Sequence, residues 1–330
     1  MQNTKIVQET SDPICAINCK SGDQTGQQIQ LIGSLSEPIR HLLSHSLSAN
    51  SKRAYASDLA HFRASGGDIP CSPETVAGYL AEIADTHAVA TIQRRLAAIA
   101  KAHRASGHDD PCRAELVKAA MRGIRRIKGV AQREAQALQR DELFFVLERM
   151  GDRPIDIRDK ALLLIGFAAA FRRSELVGLD CDDVEHVRQG IVLHLRRSKT
   201  DQDGQGRKIA VPHGRTKWCP VRHLADWLAY AEIERGPIFR SIDRHGRISS
   251  DRLSGEAVSV ILKKRVAAAG FDPATFSGHS LRAGFATSAA MAGASTIKIR
   301  QQTGHASDAM LGRYVRDGDM FNDNAAGTVL

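Results

Sequence analysis

Four stretches between residues 51 and 128 repeat apolar side chains at helical spacing, and from Gly129 to Arg140 that period disappears. A chain patterned in this way folds as packed helices, and the interruption divides it into two bodies with separate cores. Ser51 is placed to cap a helix carrying Tyr55, Leu59 and Phe62. Ser72-Pro73 is a cap followed by a first-turn proline, ahead of Val76, Tyr79, Leu80 and Ile83. Ile92, Leu96, Ile99 and Ala100 share a face of the third segment, and Leu116, Val117, Ala120, Met121 and Ile124 share one in the fourth, which begins near Asp110-Pro111. A length of 330 residues suits two domains.

Past the interruption, a capped helix opens at Asp141, and an apolar segment over 157–176 predicts a buried helix. Short alternating runs at 184–187, 191–195 and 208–211, joined by polar turns, predict a small antiparallel sheet. Helical patterns return over 221–233, 255–269, 280–292, 296–303 and 308–315. The first 35 residues are polar and without a period. The expected organisation is therefore a flexible leader over 1–35, a helical domain over 36–130, a linker over 131–140 and an α+β domain over 141–330.

The net charge of +9 favours a polyanionic partner. Its distribution is more telling, because residues 94–133 hold eleven basic side chains against three acidic ones. Helix-dipole complementation explains cations in a last helical turn, but not Arg94 and Arg95 within the third helix. Arg94, Arg95, Lys101, Arg122, Arg125 and Arg126 are therefore expected to contact DNA. No apolar run reaches the roughly 20 residues that cross a bilayer, and the N-terminus lacks a signal-peptide core, so no membrane partner and a cytoplasmic, nucleoid-associated location are expected. Six scattered cysteines without Cys-x-x-Cys pairs read as reduced structural thiols.

The chemistry concentrates near the C-terminus. His279 and Arg282 stand three apart, Gly304-His305 follows, and Tyr314, one of four tyrosines, comes nine residues after that histidine. A phenol among cations suits nucleophilic attack on phosphate: a free tyrosine has a pKa near 10, and positive neighbours lower the cost of the phenolate. Charge developing on the non-bridging oxygens calls for fixed donors, supplied here by Arg172, Arg282, His279 and His305. Glu175, three residues after Arg172, is placed to orient that guanidinium on a shared helix face. Lys199, on the turn between the second and third strand runs, is the expected acid for the leaving oxygen, with Lys208 as the alternative.

Taken together, Phe-Arg172-Arg-Ser-Glu175-Leu, Lys199, His279-x-x-Arg282, Gly304-His305 and Tyr314 resemble the signature of the tyrosine recombinase (phage integrase) family, which includes Cre-like and Xer-like enzymes. The resemblance spans about 36–320. It implies a mainly α fold with a SAM-like core-binding domain of four to five helices, followed by an α+β catalytic domain with a small antiparallel sheet. It further implies site-specific recombination through a 3′-phosphotyrosine at Tyr314, with no metal, ATP or other cofactor. The implied partner is double-stranded DNA with inverted half-sites, bound by a dimer on each site and a tetramer in synapsis, with a place for accessory DNA-bending proteins. Phe321 is the expected apolar anchor against a neighbouring protomer. The chain departs from the family at Ala170, where glycine is usual, and its adjacent Arg172 and Arg173 leave the pairing with Glu175 to the Ser-Glu-Leu register.

Two other readings stay open on the sequence: a type IB topoisomerase, which shares the chemistry but acts as a monomer, and a DNA-binding regulator with a vestigial pocket. A metal hydrolase is disfavoured, because His279 and His305 lack carboxylates at ligand spacing and sit among arginines.

Overall fold

A computed structural model of the chain describes residues 36–38, 41, 48–129, 135–196, 206–305, 307, 311, 312 and 314. The leader, Lys199 with its turn, and Phe321 lie outside the described residues. The chain divides between Arg133 and Glu134 into two compact units.

The first unit contains α1 (Ala49–Ala64), α2 (Pro73–Ile83), α3 (Val89–Ala105), a 3-10 turn (Pro111–Arg113) and α4 (Glu115–Lys128). Their apolar stripes meet in a core of Phe62, Val76, Tyr79, Leu80, Ile83, Ile92, Ile99, Val117, Met121 and Ile124. Ser72 and Pro73 open α2 as the spacing predicts. The cap of α1 is Ser48, whose hydroxyl accepts from the Ser51 amide, so Ser51 lies within the first turn and is not the cap. The fourth helix starts at Glu115, later than expected: Asp110 accepts from the Cys112 amide and opens only the 3-10 turn, and Ala114 is extended. Lys128, at the end of α4, donates to the carbonyls of Ala84, Asp85 and His87, and so satisfies groups left open where α2 ends.

The second unit runs through α5 (Arg140–Glu148), α6 (Pro154–Ala168), α7 (Arg173–Gly178) and a 3-10 turn (Cys181–Asp183) to a three-stranded antiparallel sheet. That sheet has the order β1 (Val184–Val187), β2 (Gly190–Leu195), β3 (Arg207–Pro212). Next come α8 (Pro220–Tyr230), the hairpin β4 (Arg240–Ile242) and β5 (Ile248–Arg252), α9 (Gly255–Ala268), α10 (Ser280–Met291) and α11 (Thr296–Thr303). Leu311, Gly312 and Tyr314 are helical. The β2–β3 register pairs Ile191 with Val211, Leu193 with Ile209 and Leu195 with Arg207, which puts every second residue of β3 towards the core. Helix α6 lies at the centre, with Ala161 through Ile165 almost fully buried. Among the described helices, none is long and apolar enough to cross a membrane.

Three features differ from the sequence expectation. The apolar segment 157–176 is two helices, because Ala170 adopts φ 51° and turns the chain between α6 and α7. The hairpin β4–β5 has too few apolar residues to show a strand period. The linker is docked at its end: Leu138 is fully buried, its amide donates to the Ser280 carbonyl, and its backbone lies against Gly284 of α10, where a Cβ would meet Leu138 O at 1.8 Å.

Candidate active site

The turn at Ala170 shapes one wall of the site. An L-residue in the left-handed region costs roughly 1–2 kcal/mol, and the surroundings hold it there. The Ala170 amide donates to Phe167 O at 2.9 Å, and its carbonyl accepts from Arg282 Nη1 at 2.8 Å. Arg172 is therefore the residue that precedes α7, not a residue within a continuous helix. The expected pairing nevertheless forms: Glu175 accepts Arg172 Nη1 at 2.6 Å on one oxygen and the Arg172 amide at 3.0 Å on the other. One buried carboxylate thus caps α7 and fixes the guanidinium. At the other end of α7, Arg252 Nη1 donates to Val177 O at 2.6 Å and Leu179 O at 3.2 Å. The adjacent Arg173 goes elsewhere, donating from Nη1 to Ser259 Oγ on α9 at 3.0 Å, and the same oxygen accepts the Gly278 amide at 3.2 Å.

Arg282, on α10, is 1% exposed, which is unusual enough for a guanidinium to require explanation. Nη1 donates to Ala170 O and Thr303 O, whereas Nε and Nη2 have no partner among the described residues. Burial, Arg172 and Arg207 bring its pKa down to about 10, against the opposing pull of Glu175 and Tyr314. Unsatisfied cationic donors in a shielded position are suited to an anion.

His279 immediately precedes α10, beside Arg282, Arg172 and Arg173; desolvation and those charges hold its pKa below the usual imidazole value. His305 follows α11, whose end is turned by Gly304 at φ 65°. Its ring is buried, and Nδ1 lies 2.8 Å from Thr303 Oγ1, which reserves Nε2 for the pocket. Burial, then Arg282, Arg172, His279 and Arg207, bring its pKa down to about 4, so it is neutral at physiological pH. Tyr314 is half-buried beside a small cluster of Ala286, Ala290, Ile299 and Leu311, with its ring 5.9 Å from that of His305.

The geometry gathers Arg172, Glu175, His279, Arg282, His305 and Tyr314 from segments up to 142 residues apart in sequence. Lys199 falls outside the described residues; Lys208, its alternative, lies on the exposed face of β3, opposite the inward Ile209 and Val211. Sequence reasoning missed Arg207, which occupies an inward position of β3 and reaches Glu175 and the end of α11. The available signal was a charged residue in phase with Ile209 and Val211.

In the first unit, Arg94, Arg122, Arg125 and Arg126 are exposed and Lys101 is half-buried. Arg94 donates to Asp58 at 3.0 Å, and Arg122 pairs with Glu115 at 2.5 Å. Arg95 differs from its neighbour, contrary to the expected role of direct DNA contact. It is buried, with Nη1 3.2 Å from the Tyr79 hydroxyl and 3.1 Å from His61 Nδ1, and Nε 3.7 Å from Asp58. Three residues after Ile92 and four before Ile99, it lies on the apolar stripe itself.

Residues 136–320 match the family model described as the phage integrase family. The integrase/recombinase xerD homolog of Selenomonas ruminantium is 40% identical over 301 residues, covering 88% of each chain. Recombinase cre of Escherichia phage P1 is 28% identical over 76% of this chain and 77% of its own. In fold, the chain is similar to the lambda integrase bound to DNA, with a TM-score of 0.62, 19% identity and coverage of 91% and 98% of the two chains. It is also similar to the XerH site-specific recombinase in a post-cleavage complex, with a TM-score of 0.61, 16% identity and coverage of 96% and 91%. The chain belongs to the phage integrase family and is a tyrosine site-specific recombinase.

Proposed function

We propose that this recombinase cleaves and rejoins DNA through a covalent 3′-phosphotyrosine at Tyr314, without metal or nucleotide cofactor. The observation that carries the reading is Arg282, a fully buried cation whose Nε and Nη2 have no partner among the described residues, beside Arg172, His279, His305 and Tyr314. A phosphodiester completes those donors. Arg172, held by Glu175, and Arg282 grip the non-bridging oxygens. His279 and His305 line the pocket as neutral rings, with His305 Nδ1 held by Thr303 Oγ1 so that Nε2 faces the phosphate. Tyr314 loses its phenol proton to solvent, its Oη attacks phosphorus, the P–O5′ bond breaks, and the departing 5′-oxygen takes its proton from Lys199. The reverse attack by a 5′-hydroxyl releases Tyr314, so the bond energy is kept in the phosphotyrosine and no high-energy cofactor is consumed. One preorganised donor of this kind is commonly worth about 10²–10³ in rate.

The first unit serves as the core-binding clamp, with Arg94, Lys101, Arg122, Arg125 and Arg126 on phosphates and Arg95 behind them. Two protomers occupy inverted half-sites, and two such dimers form the synaptic tetramer in the nucleoid-bearing cytoplasm, with a place for accessory DNA-bending proteins. Support for the assembly comes from family membership and from a similar structure that is a lambda integrase tetramer bound to a Holliday junction. The test is Tyr314→Phe on a nicked DNA site that traps the covalent complex. The variant is expected to bind DNA as the parent does and to form no covalent complex; a complex that persists removes Tyr314 from the role.

A further inference from the structure

The catalytic reading leaves a half-buried cation beside the site without a role. Arg207 begins β3, eight residues after Lys199 in sequence, and its side chain faces inward with Ile209 and Val211. Nη1 donates to the carbonyls of Gln301 at 3.3 Å and Gln302 at 3.1 Å, two of the orphan acceptors at the end of α11. Nη2 lies 3.9 Å from Glu175 Oε2, the carboxylate that orients Arg172. Gly304 packs directly on the guanidinium: a Cβ there would stand 2.5 Å from Nη1 and 2.7 Å from Cζ. The glycine therefore meets two demands at once, a left-handed φ of 65° and this close approach. Nε and Nη2 are shielded from solvent and have no hydrogen-bond partner among the described residues. Such burial of a guanidinium is unfavourable by itself, and persists where the geometry it enforces is needed.

We propose that Arg207 is a positioning residue for the recombination reaction, holding the turn to His305, the Glu175–Arg172 pair and the strand that follows Lys199 in a single arrangement. The three anchors are the α11 carbonyls, the Glu175 carboxylate and its own place on β3. A planar fork reaches two of them from one strand, which a lysine ammonium on the same stem does not. Gln302 reinforces the joint, donating from Nε2 to Ala168 O at 2.8 Å and to Ala210 O of β3 at 3.1 Å. Arg207 is not assigned contact with DNA, because Gly304 and the α11 carbonyls cover it.

The inference rests on the phosphotyrosine reading, and the experiment separates the two. Single-turnover cleavage of a nicked site is measured at saturating DNA for the parent, Arg207→Gln, Arg207→Lys and Gly304→Ala, alongside DNA affinity and the circular dichroism spectrum. A displacement of about 1 Å at a reacting group costs on the order of 100-fold, so Arg207→Gln is expected to lower the cleavage rate about 10- to 100-fold with affinity within about twofold. Arg207→Lys, which keeps charge and bulk, is expected to fold and to cleave faster than Arg207→Gln but slower than the parent. Gly304→Ala, which displaces the fork, is expected to match Arg207→Gln, and the double variant is expected to lose no more than either alone. Parent-like cleavage in Arg207→Lys and Arg207→Gln overturns the proposal. A loss confined to DNA affinity, or strictly additive losses in the double variant, also overturns it. If Arg207→Gln does not fold, the Arg207→Lys and Gly304→Ala rates decide alone. If the parent itself forms no covalent complex, the phosphotyrosine reading fails, whatever the variants do.

Discussion

Ala169 and Ala170 are adjacent, both 0% exposed, and differ in backbone: Ala169 ends α6 at φ −85° and Ala170 turns at φ 51°. Replacing each by glycine therefore isolates the strain that shapes the Arg172 wall. Loss of a buried methyl costs about 0.8 kcal/mol. The extra freedom of glycine in the unfolded chain costs roughly 0.5–1 kcal/mol more. Ala169→Gly suffers both and is expected to lose about 1.5 kcal/mol. Ala170→Gly suffers the same losses but regains roughly 1–2 kcal/mol of left-handed strain, which leaves it within about 0.5 kcal/mol of the parent. For a unit of this size the difference separates the two melting temperatures by about 2–8 °C, with Ala170→Gly higher. Thermal unfolding followed by circular dichroism reads the separation. Equal destabilisation would show that Ala170 carries no strain, and would remove the explanation offered for the break between α6 and α7.

Two further predictions concern charge. His305 has a folded pKa of about 4 against an ordinary value of 6.5, so between those values the unfolded chain binds more protons than the folded one. Its contribution is present above pH 6.5 and is lost as pH falls towards 4, by up to about 3 kcal/mol. Denaturant titrations of the parent are expected to show this slope and those of His305→Gln to be flatter; identical slopes would contradict a ring held neutral. In the first unit, Arg94→Ala is expected to weaken DNA binding and lower the magnitude of the salt slope by about one. Arg95→Ala is expected instead to destabilise the unit by about 1–3 kcal/mol, since the Tyr79 hydroxyl and His61 lose a buried partner while Asp58 keeps Arg94. A reduced salt slope with parent-like stability in Arg95→Ala would place that side chain on DNA after all.

What the sequence disclosed and what it concealed follow from how far each signal reaches. The helices of the first unit were legible because Val76, Tyr79, Leu80 and Ile83, or Ile92 and Ile99, recur at helical spacing and are buried together. The candidate site was legible by residue type and order: Arg172, Glu175, His279, Arg282, His305 and Tyr314 converge although the first and last lie far apart in the chain, and Lys199 falls outside the described residues. The bend at Ala170 was illegible, since alanine is a strong helix former and its left-handed φ is imposed by the Arg282 and Phe167 contacts. The role of Arg207 depends on the approach of Glu175 and Gly304 from other elements, so only its inward phase hinted at it. Arg95 was legible but misread, because the basic stretch drew attention to charge and away from the helical phase that turns it inward.

The central claim is that the phenol oxygen of Tyr314 becomes esterified to a 3′-phosphate among fixed cationic donors. Peptide mapping by mass spectrometry of protein quenched during reaction with a nicked DNA site tests it most directly. A nucleotide adduct is expected on the peptide containing Tyr314 and on that side chain. An adduct on any other residue, or a cleaved strand with no protein attached, would contradict it.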